Sequence, residues 1–281
     1  NTLGNNNTGF GAYALRLNTT ASQNTAVGFQ AMYSQSFDNG GATYNGNNTA
    51  LGFQALYNNN PTTTSNGIRN VALGFQTLFD NSTGTGNTSV GSNSLTNNTV
   101  GNYNVAIGDN AAASNTAATG NIAIGNNALF TQSFNNGGTA YGLYNVAIGN
   151  SALYYNQPTA TGNGIYNVAV GGSALERNTV GYYNVGMGTS SFRYNQIGNE
   201  NSGLGTNSGF YATGSSNTYV GNNAGYGVLG SSTGGANTGL GNRSMQQITT
   251  GYQNTASGDY SLHNITTGFQ NAAFGAGALD Y

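Results

Sequence analysis

Residues 87–103 read NTSVGSNSLTNNTVGNY, one complete copy of a unit that recurs along the chain. Counted from its first Asn as position 1, it has Gly at position 5, a small residue at position 8, Leu at position 9 and Asn at position 12. The general form is N-x-a-Φ-G-x-x-a-L-x-x-N-T-x-G-x-x, where a is small and Φ is apolar. Asn104 and Asn145 both open NVAIG, so the pattern continues beyond its first example.

The first half of the pattern occurs fifteen times along the chain, each time with Gly at position 5. Position 8 is always Ala, Ser or Thr, and position 9 is usually Leu or Met. Such a regular period predicts one structural unit per copy. The copies begin at Asn7, Asn24, Asn48, Asn70, Asn87, Asn104, Asn121, Asn145, Asn167, Asn184, Asn201, Asn217, Asn237, Asn254 and Asn271.

The spacings between copies repeat as well. They are 24, 22, 17, 17 and 17 from Asn24, and 24, 22, 17, 17 and 16 from Asn121. The inserted segments SQSFDNGG at 34–41 and TQSFNNGG at 131–138 lie 97 residues apart. The chain is therefore predicted to be a single continuous solenoid over 1–281. Its blocks of five units span approximately 24–120, 121–216 and 217–281, the last completed by 1–23.

The 17-residue unit is predicted to be β-structure. Gly or Asn recurs every few residues, which is incompatible with a helix interior. The apolar positions form two short runs separated by turn residues, as in two short strands. Units of this size that stack through backbone ladders form a parallel β-solenoid. We therefore expect an all-β fold of about fifteen rungs, one rung per unit.

Alternation along a strand predicts which side chains face inward. Position 4 is apolar in all copies but one, so positions 2 and 4 are expected to face the interior. Position 3 is mostly Ala or Gly but is Tyr219 in one copy, which suggests that it points outward and packs against another chain. The Gly at position 5 is expected to supply a positive φ or a close backbone approach. The Asn at position 1 is expected to form an amide ladder or a turn cap.

The composition excludes several classes of protein. Only 4% of residues are charged and the net charge is −2, so the clustered Lys and Arg of nucleic-acid or anionic-membrane binding are lacking. No apolar run approaches the length of about 20 residues that spans a membrane. The chain has no Cys, which excludes disulfides and thiolate metal sites. Its 37% hydrophobic residues, with 19 Tyr and 12 Phe, argue against disorder.

No catalytic, cofactor or metal site is expected. Asp259, Ser261 and His263 are triad residue types, but His263 takes a position that holds Tyr, Phe or Arg in other copies. Asp38 resembles a calcium ligand, yet its counterpart 97 residues later is Asn135, which weakens that interpretation. We therefore expect the chain not to be an enzyme.

Two rows of aromatic residues are the remaining candidates for binding. Exposed aromatic rows can stack on sugar rings, whereas buried or self-stacked rows stiffen a solenoid, and the sequence favours the second role. The insertions after Met32, Leu56, Leu129 and Leu153 are expected to leave the rungs along one edge. They would serve as contacts between fibres or as recognition loops. The rows are Phe29, Phe53 and Phe75 at position 6, and Tyr144, Tyr166 and Tyr183 at the last position.

The repeat resembles known families. NVAIG resembles the head repeat of YadA-like trimeric autotransporter adhesins, and NTALGFQALYNN at 48–59 is similar to repeats of phage and bacterial tail-fibre-like proteins. The resemblance covers the whole chain, although the adhesin repeat is shorter. It implies a left-handed β-roll, often trimeric, displayed outside the cell or on a virion.

The two ends of the sequence complete each other. The last unit stops at position 11, and NTLGNN at 1–6 supplies positions 12–17. We therefore expect rungs to continue end to end, with an axial repeat of about 72 Å from fifteen rungs of about 4.8 Å. The expected function is a structural subunit or shaft of an extracellular fibre that associates with itself, by stacking or as a homotrimer. The alternative is an adhesin or tail-fibre module that binds a surface glycan or receptor.

Overall fold

The computed structural model describes residues 3–280, so Asn1, Thr2 and Tyr281, and with them part of the predicted end-to-end rung, lie outside the described residues. The chain divides into two compact units, Asn1–Tyr144 and Asn145–Tyr281. The described part contains no helix, and every repeat copy contributes one three-residue strand at positions 2–4. This confirms the predicted all-β parallel β-solenoid, while its left-handedness stays a prediction.

The strands of both units are short. Those of the first unit are β1 Thr8–Phe10, β2 Ala21–Ser22, β3 Thr25–Val27, β4 Tyr44–Asn45, β5 Thr49–Leu51, β6 Val71–Leu73, β7 Thr88–Val90, β8 Val105–Ile107, β9 Ala118–Thr119, β10 Ile122–Ile124 and β11 Tyr141–Gly142. Those of the second unit are β12 Val146–Ile148, β13 Val168–Val170, β14 Val185–Met187, β15 Ser202–Leu204, β16 Thr218–Val220, β17 Thr238–Leu240, β18 Thr255–Ser257 and β19 Ala272–Phe274.

The three-residue strands pair in sequence order, parallel and in constant register. In the first unit the order is β1, β3, β5, β6, β7, β8, β10, and in the second unit it runs from β12 to β19. Each position pairs with the same position of the next rung, as Ser89 pairs with Ala106. The segment at positions 8–11 also joins successive rungs, for example through Leu78 N, which donates to Ser94 O at 3.0 Å. Its position-9 residue has a positive φ, as in Leu78 (φ 50°), so this wall of the coil is less regular than the first.

The prediction of which strand side chains face the interior is wrong. Position 3 is buried from Ala26 to Ala273, whereas positions 2 and 4 are half-exposed or exposed, as in Ile122 and Leu51. The coil is so narrow that Ala, Gly or Ser fills one wall, and the Leu or Met of position 9 fills the space opposite. Branched side chains at positions 2 and 4 therefore face outward.

Tyr219, which suggested an outward position 3, is accommodated inside by neighbouring glycines. It is fully buried, and a Cβ on Gly239, in the next rung, would lie 3.1 Å from its Cδ1. Its own rung has Gly225 at position 9, directly against the Tyr219 ring. The hydroxyl donates to Asn217 Oδ1 at 3.4 Å, and burial raises the pKa of Tyr219 far above its ordinary value.

Phe192 is accommodated in the same way. It occupies position 9, where most rungs have Leu, and it is fully buried. The following rung has Gly203 at position 3 and Gly209 at position 9, and a Cβ on either would meet the Phe192 ring. These two large aromatic side chains are thus matched by missing Cβ atoms beside them, which keeps the filled volume nearly constant.

The Gly column at position 5 fulfils both roles predicted for it. From Gly11 to Gly275 these residues have φ between 112° and 142°. A Cβ on Gly108 would lie 2.6 Å from the carbonyl oxygen of Gly125 in the next rung. A side chain is therefore excluded both by the backbone conformation and by the next rung.

The Asn column at position 1 forms the predicted amide ladder and also caps a turn. Asn104 Oδ1 accepts from the backbone N of Asn121 at 3.0 Å, and Asn104 Nδ2 donates to Asn87 Oδ1 at 3.1 Å. Asn104 Nδ2 also donates to Ala118 O, at position 15 of its own rung, at 2.9 Å. The buried amide thereby joins three consecutive rungs and leaves neither of its polar atoms unpaired.

A second Asn column, at position 12, has a ladder role that the sequence did not reveal. Asn98 Nδ2 donates to Asn81 Oδ1 at 2.9 Å and to Gly101 O at 3.0 Å. Gly101 O also accepts from Asn87 Nδ2 at 2.9 Å. The two Asn columns therefore converge on the carbonyl of position 15, whose two lone pairs they satisfy.

We expect Gly108→Val to reduce the free energy of unfolding by about 3 kcal/mol or more, because it adds both backbone strain and a clash with Gly125. Asn135→Ala is the control, since Asn135 lies in an exposed loop and only its Oδ1 accepts a bond, from Gly138 N at 2.8 Å. The control should cost about 1 kcal/mol or less. Guanidinium unfolding of both variants measures the difference, and equal shifts of the midpoint would contradict the role of the Gly column.

Because Gly203 makes room for the Phe192 ring, we expect substitutions at these two positions to be coupled in a double-mutant cycle. Gly203→Ala restores the residue common at position 3, yet it should cost about 1–3 kcal/mol, because the new Cβ would lie 2.7 Å from Phe192 Cε2. In the Phe192→Leu background the same substitution should cost much less, with a coupling of about 1–3 kcal/mol. Chemical unfolding of the four proteins measures the coupling. Additive effects would show that the two sites do not share one volume.

Candidate functional site

The outward face of the strands carries an apolar column. Position 4 holds a large aliphatic or aromatic side chain in nearly every rung, and many of these are more than a third exposed. Position 2 contributes Thr, Val, Ile, Ser or Ala on the same face. The most exposed members are Phe10 (75%), Phe274 (72%), Leu204 (54%) and Leu51 (50%).

The predicted aromatic row at position 6 is formed. The ring centroids of Phe29 and Phe53 are 5.4 Å apart, those of Phe53 and Phe75 are 5.3 Å apart, and both pairs are stacked. All three rings are exposed by 41–47%. The Gln residues that follow them form their own ladder, in which Gln54 Nε2 donates to Gln30 Oε1 at 2.8 Å. The row therefore stacks on itself and still presents ring edges and amides to solvent.

A further stacked row lies at position 10. Tyr57 stacks between Tyr33 and Phe79, with centroids 5.0 Å and 4.9 Å away. In the last-position row, Tyr166 and Tyr183 stack at 5.3 Å. Stacked pairs of this kind stabilise a fold beyond their buried area. The position-6 and position-10 rows and the Tyr166–Tyr183 pair are therefore stacked on themselves, while the structural role favoured by the sequence stays a prediction.

The three triad residue types do not form a catalytic constellation. Ser261 Oγ is buried and donates to Gly258 O at 2.8 Å. His263 Nε2 lies 2.8 Å from Gln246 Oε1, and its Nδ1 lies 3.4 Å from Asp280 Oδ1. Asp259 Oδ1 accepts from Asn242 Nδ2 at 2.9 Å. Each side chain is engaged with a different neighbour.

The insertions leave and rejoin their rungs within the same turn, as predicted. Tyr44 pairs with Ala21 on re-entry, and Tyr141 pairs with Ala118 in the duplicated copy. Burial raises the pKa of Tyr141 to about 12, and its hydroxyl donates to Phe134 O at 3.0 Å.

The interchange of Asp38 and Asn135 has a structural reason. Asp38 Oδ1 accepts from Gly41 N at 3.1 Å, and Asn135 Oδ1 accepts from Gly138 N in the same way. Either residue type caps this turn, so no metal ion is required to explain the Asp. Among residues 3–280, no group of three His, Cys, Asp or Glu side chains lies close enough together to hold a metal ion.

The edge that carries the insertions is also grooved. In the first unit a polar groove of about 490 Å³ runs over uninserted rungs between the insertion loops. Its lining includes Thr83, Asn102 and Tyr103, whose ring is 61% exposed. The second unit has two smaller pockets that share Gln196. The sequence predicted the insertions on this edge but not its grooves, because the lining residues vary from copy to copy.

Within the described part of the chain, no helix is long and apolar enough to cross a membrane. Comparisons with protein-family models, with curated proteins and with solved structures gave no match.

Proposed function

We propose that this chain is a structural subunit or shaft segment of an extracellular fibre, in which β-solenoid rungs stack end to end. The observation that carries this proposal is the constant register of the ladder. Within each unit, successive rungs meet through the same Asn amide, the same Gly carbonyl and the same parallel strand edge, so a rung is a template for another rung.

The contacts between successive rungs support the proposal. A Cβ on Gly258 would clash with the backbone carbonyl of Gly275, and a Cβ on Gly241 would clash with that of Gly258 in the same way. The face of each of these rungs is therefore shaped to receive a further rung. Lysines, which commonly protect such edges, do not occur in this sequence.

Lateral association of copies is the second part of the proposal. The apolar column at position 4 repeats once per rung in each unit, so a partner that covers it must offer matching groups at the same period. A second copy of this chain does so, and this also accommodates the homotrimer that the resemblance implies.

End-to-end stacking predicts unbranched filaments when the purified chain is concentrated. Negative-stain images should show a constant width, and aligned fibres should diffract at about 4.8 Å along the axis, with a longer repeat of about 72 Å per chain. Single, monodisperse particles at every concentration would overturn the fibre proposal.

Lateral association predicts that Leu51→Lys combined with Leu204→Lys separates associated copies into thinner or single species. These side chains are 50% and 54% exposed, so the fold should tolerate the charges. Leu17→Lys, at a 44% exposed position outside the column, is the matched control. Light scattering after size exclusion measures the mass, and an unchanged mass in the double variant would refute the role of this face.

A second candidate function is recognition of a surface glycan or receptor. The exposed ring edges of the aromatic rows and the Gln amides beside them favour it, since a few polar groups among apolar ones can orient a ligand. A glycan array distinguishes this function from a purely structural one, because a shaft alone gives no selective binding.

A further inference from the structure

One edge of the second unit carries two columns of side chains that line a continuous groove. Position 11 supplies aromatic rings and a guanidinium, and position 13 supplies hydroxyls and an amide. Residues two apart point to the same side of an extended segment, so the columns run next to each other. We call this feature the tyrosine–arginine groove. Its columns are Tyr155, Arg177, Tyr194 and Tyr211, and Thr179, Gln196 and Thr213.

The groove contains two adjoining pockets. One, of about 170 Å³, lies among Tyr155, Arg177, Thr179 and Gln196. The other, of about 260 Å³, is lined by Tyr194, Gln196 and Tyr211, among other residues. Gln196 lines both pockets, so a single extended ligand could occupy both.

The rings of the groove are held in place from behind. Tyr194 lies 5.3 Å from Phe210 and 5.0 Å from Tyr211 between ring centroids. Phe210 in turn stacks on Tyr226 at 5.0 Å. This cluster fixes the orientation of the two groove tyrosines before any ligand arrives, which reduces the entropy lost on binding.

Arg177 brings an uncompensated positive charge to the groove. Its Cζ lies 4.9 Å from the Tyr194 ring centroid and 6.0 Å from that of Tyr155. The neighbouring Arg193 is paired with Glu176, Nε to Oε2, at 2.9 Å. Arg177 has no such carboxylate partner within residues 3–280 and is exposed, so its guanidinium fork is available.

The duplicated block shows that the solenoid does not need these side chains. The first-unit counterparts, 97 residues earlier, are Asn58, Asp80, Asn97 and Ser114 at position 11, and Ser82, Thr99 and Thr116 at position 13. The backbone bonds are the same in both: Ser82 N donates to Thr99 O at 3.0 Å, and Thr179 N donates to Gln196 O at 2.9 Å. The aromatic and cationic column of the second unit therefore exceeds what stacking of rungs requires.

In the position-13 column, the Thr hydroxyls bond the backbone of the next rung, whereas the Gln196 amide is free to bind a ligand. Thr179 Oγ1 donates to Gln196 O at 2.8 Å, as Thr99 Oγ1 donates to Thr116 O in the first unit. These hydroxyls serve the ladder and keep only their lone pairs for a ligand. The Gln196 side chain is exposed and has amide donors and an acceptor free, and its first-unit counterpart Thr99 has no amide.

We propose that the tyrosine–arginine groove binds an oligosaccharide that carries a carboxylate, such as a uronic or sialic acid chain. The exposed edges of the tyrosine rings contact the apolar faces of sugar rings, the Gln196 amide bonds hydroxyl groups, and the Arg177 fork pairs with the carboxylate. Successive rungs advance by about 4.8 Å, which is close to the advance of one pyranose ring in an extended chain. A nucleic acid fits poorly, because its phosphates need several clustered cations and the net charge here is −2. This inference rests on the recognition function proposed above and is independent of fibre formation.

The test uses the full chain on an array of acidic oligosaccharides, each printed beside its carboxyl-reduced counterpart. We expect selective binding to the acidic forms. Arg177→Gln should weaken it roughly ten- to hundred-fold, since a charge-assisted pair is lost. Tyr194→Ala should weaken it strongly, whereas Tyr194→Phe should retain most of it. The matched controls are Asp80→Asn and Asn97→Ala, at the equivalent first-unit positions, and they should leave binding unchanged.

The remaining outcomes separate the groove from the wider function. Selective glycan binding that survives both Arg177→Gln and Tyr194→Ala would refute the groove and leave the recognition function standing. Equal binding to acidic and reduced glycans would refute the carboxylate preference. Absence of all glycan binding would refute both proposals. If the groove variants then lowered the mass in light scattering, the groove would be a contact between copies of this chain. Thermal unfolding close to wild type confirms that each variant is folded.

Discussion

The close approach of glycine backbones at position 5 sets the geometry on which the other contacts depend. Each Gly has a φ between 112° and 142°, which L side chains rarely adopt, and within each unit the carbonyl of one Gly lies against the Gly of the preceding rung. The chain must turn there, so the preceding strand is limited to three residues. The turn also brings position 9 to the wall opposite position 3. A coil closed this tightly has room for Ala facing Leu and for little else.

The architecture could be predicted from the sequence because the constraint repeats. Fifteen Gly residues at the same position, with Asn four residues before each, leave few alternatives to a stacked coil. The face of the strands that points inward was predicted wrongly, because the single Tyr at position 3, Tyr219, was taken to exclude that position from the interior. Tyr219 is inside, and the glycines that accommodate it, Gly225 and Gly239, belong to positions that seemed unrelated until the coil was closed. A large side chain in one rung occupies space that a Gly in the next rung leaves empty. A pattern that compares residues within one rung does not reveal this compensation.

The Asn columns show the same limit. The Asn at position 1 was predicted to form an amide ladder. Its second hydrogen bond, to the carbonyl of position 15, depends on the curvature of the turn and was not predicted. Position 12 is Asn in only part of the rungs, and its ladder is interrupted where Gln35 and Gln132 replace it. Both Gln side chains are buried. Position 12 also loses its Asn at Ala212, Ile248 and Ile265, so the ladder is limited to the rungs that keep the Asn.

The candidate groove could not be found from the repeat, because it lies where the repeat carries no information. Outer positions such as 11 and 13 vary from copy to copy, so the repeat does not constrain them. The duplication of the block supplies the missing comparison, since the two copies share their Gly, Asn and Ala columns and differ at Asp80 and Arg177, and at Asn97 and Tyr194. Inside the coil a change must be compensated in the neighbouring rung, as Phe192 is by Gly203 and Gly209. Outside, a single substitution needs no compensation. Variation can therefore accumulate on the outer columns without cost to the ladder.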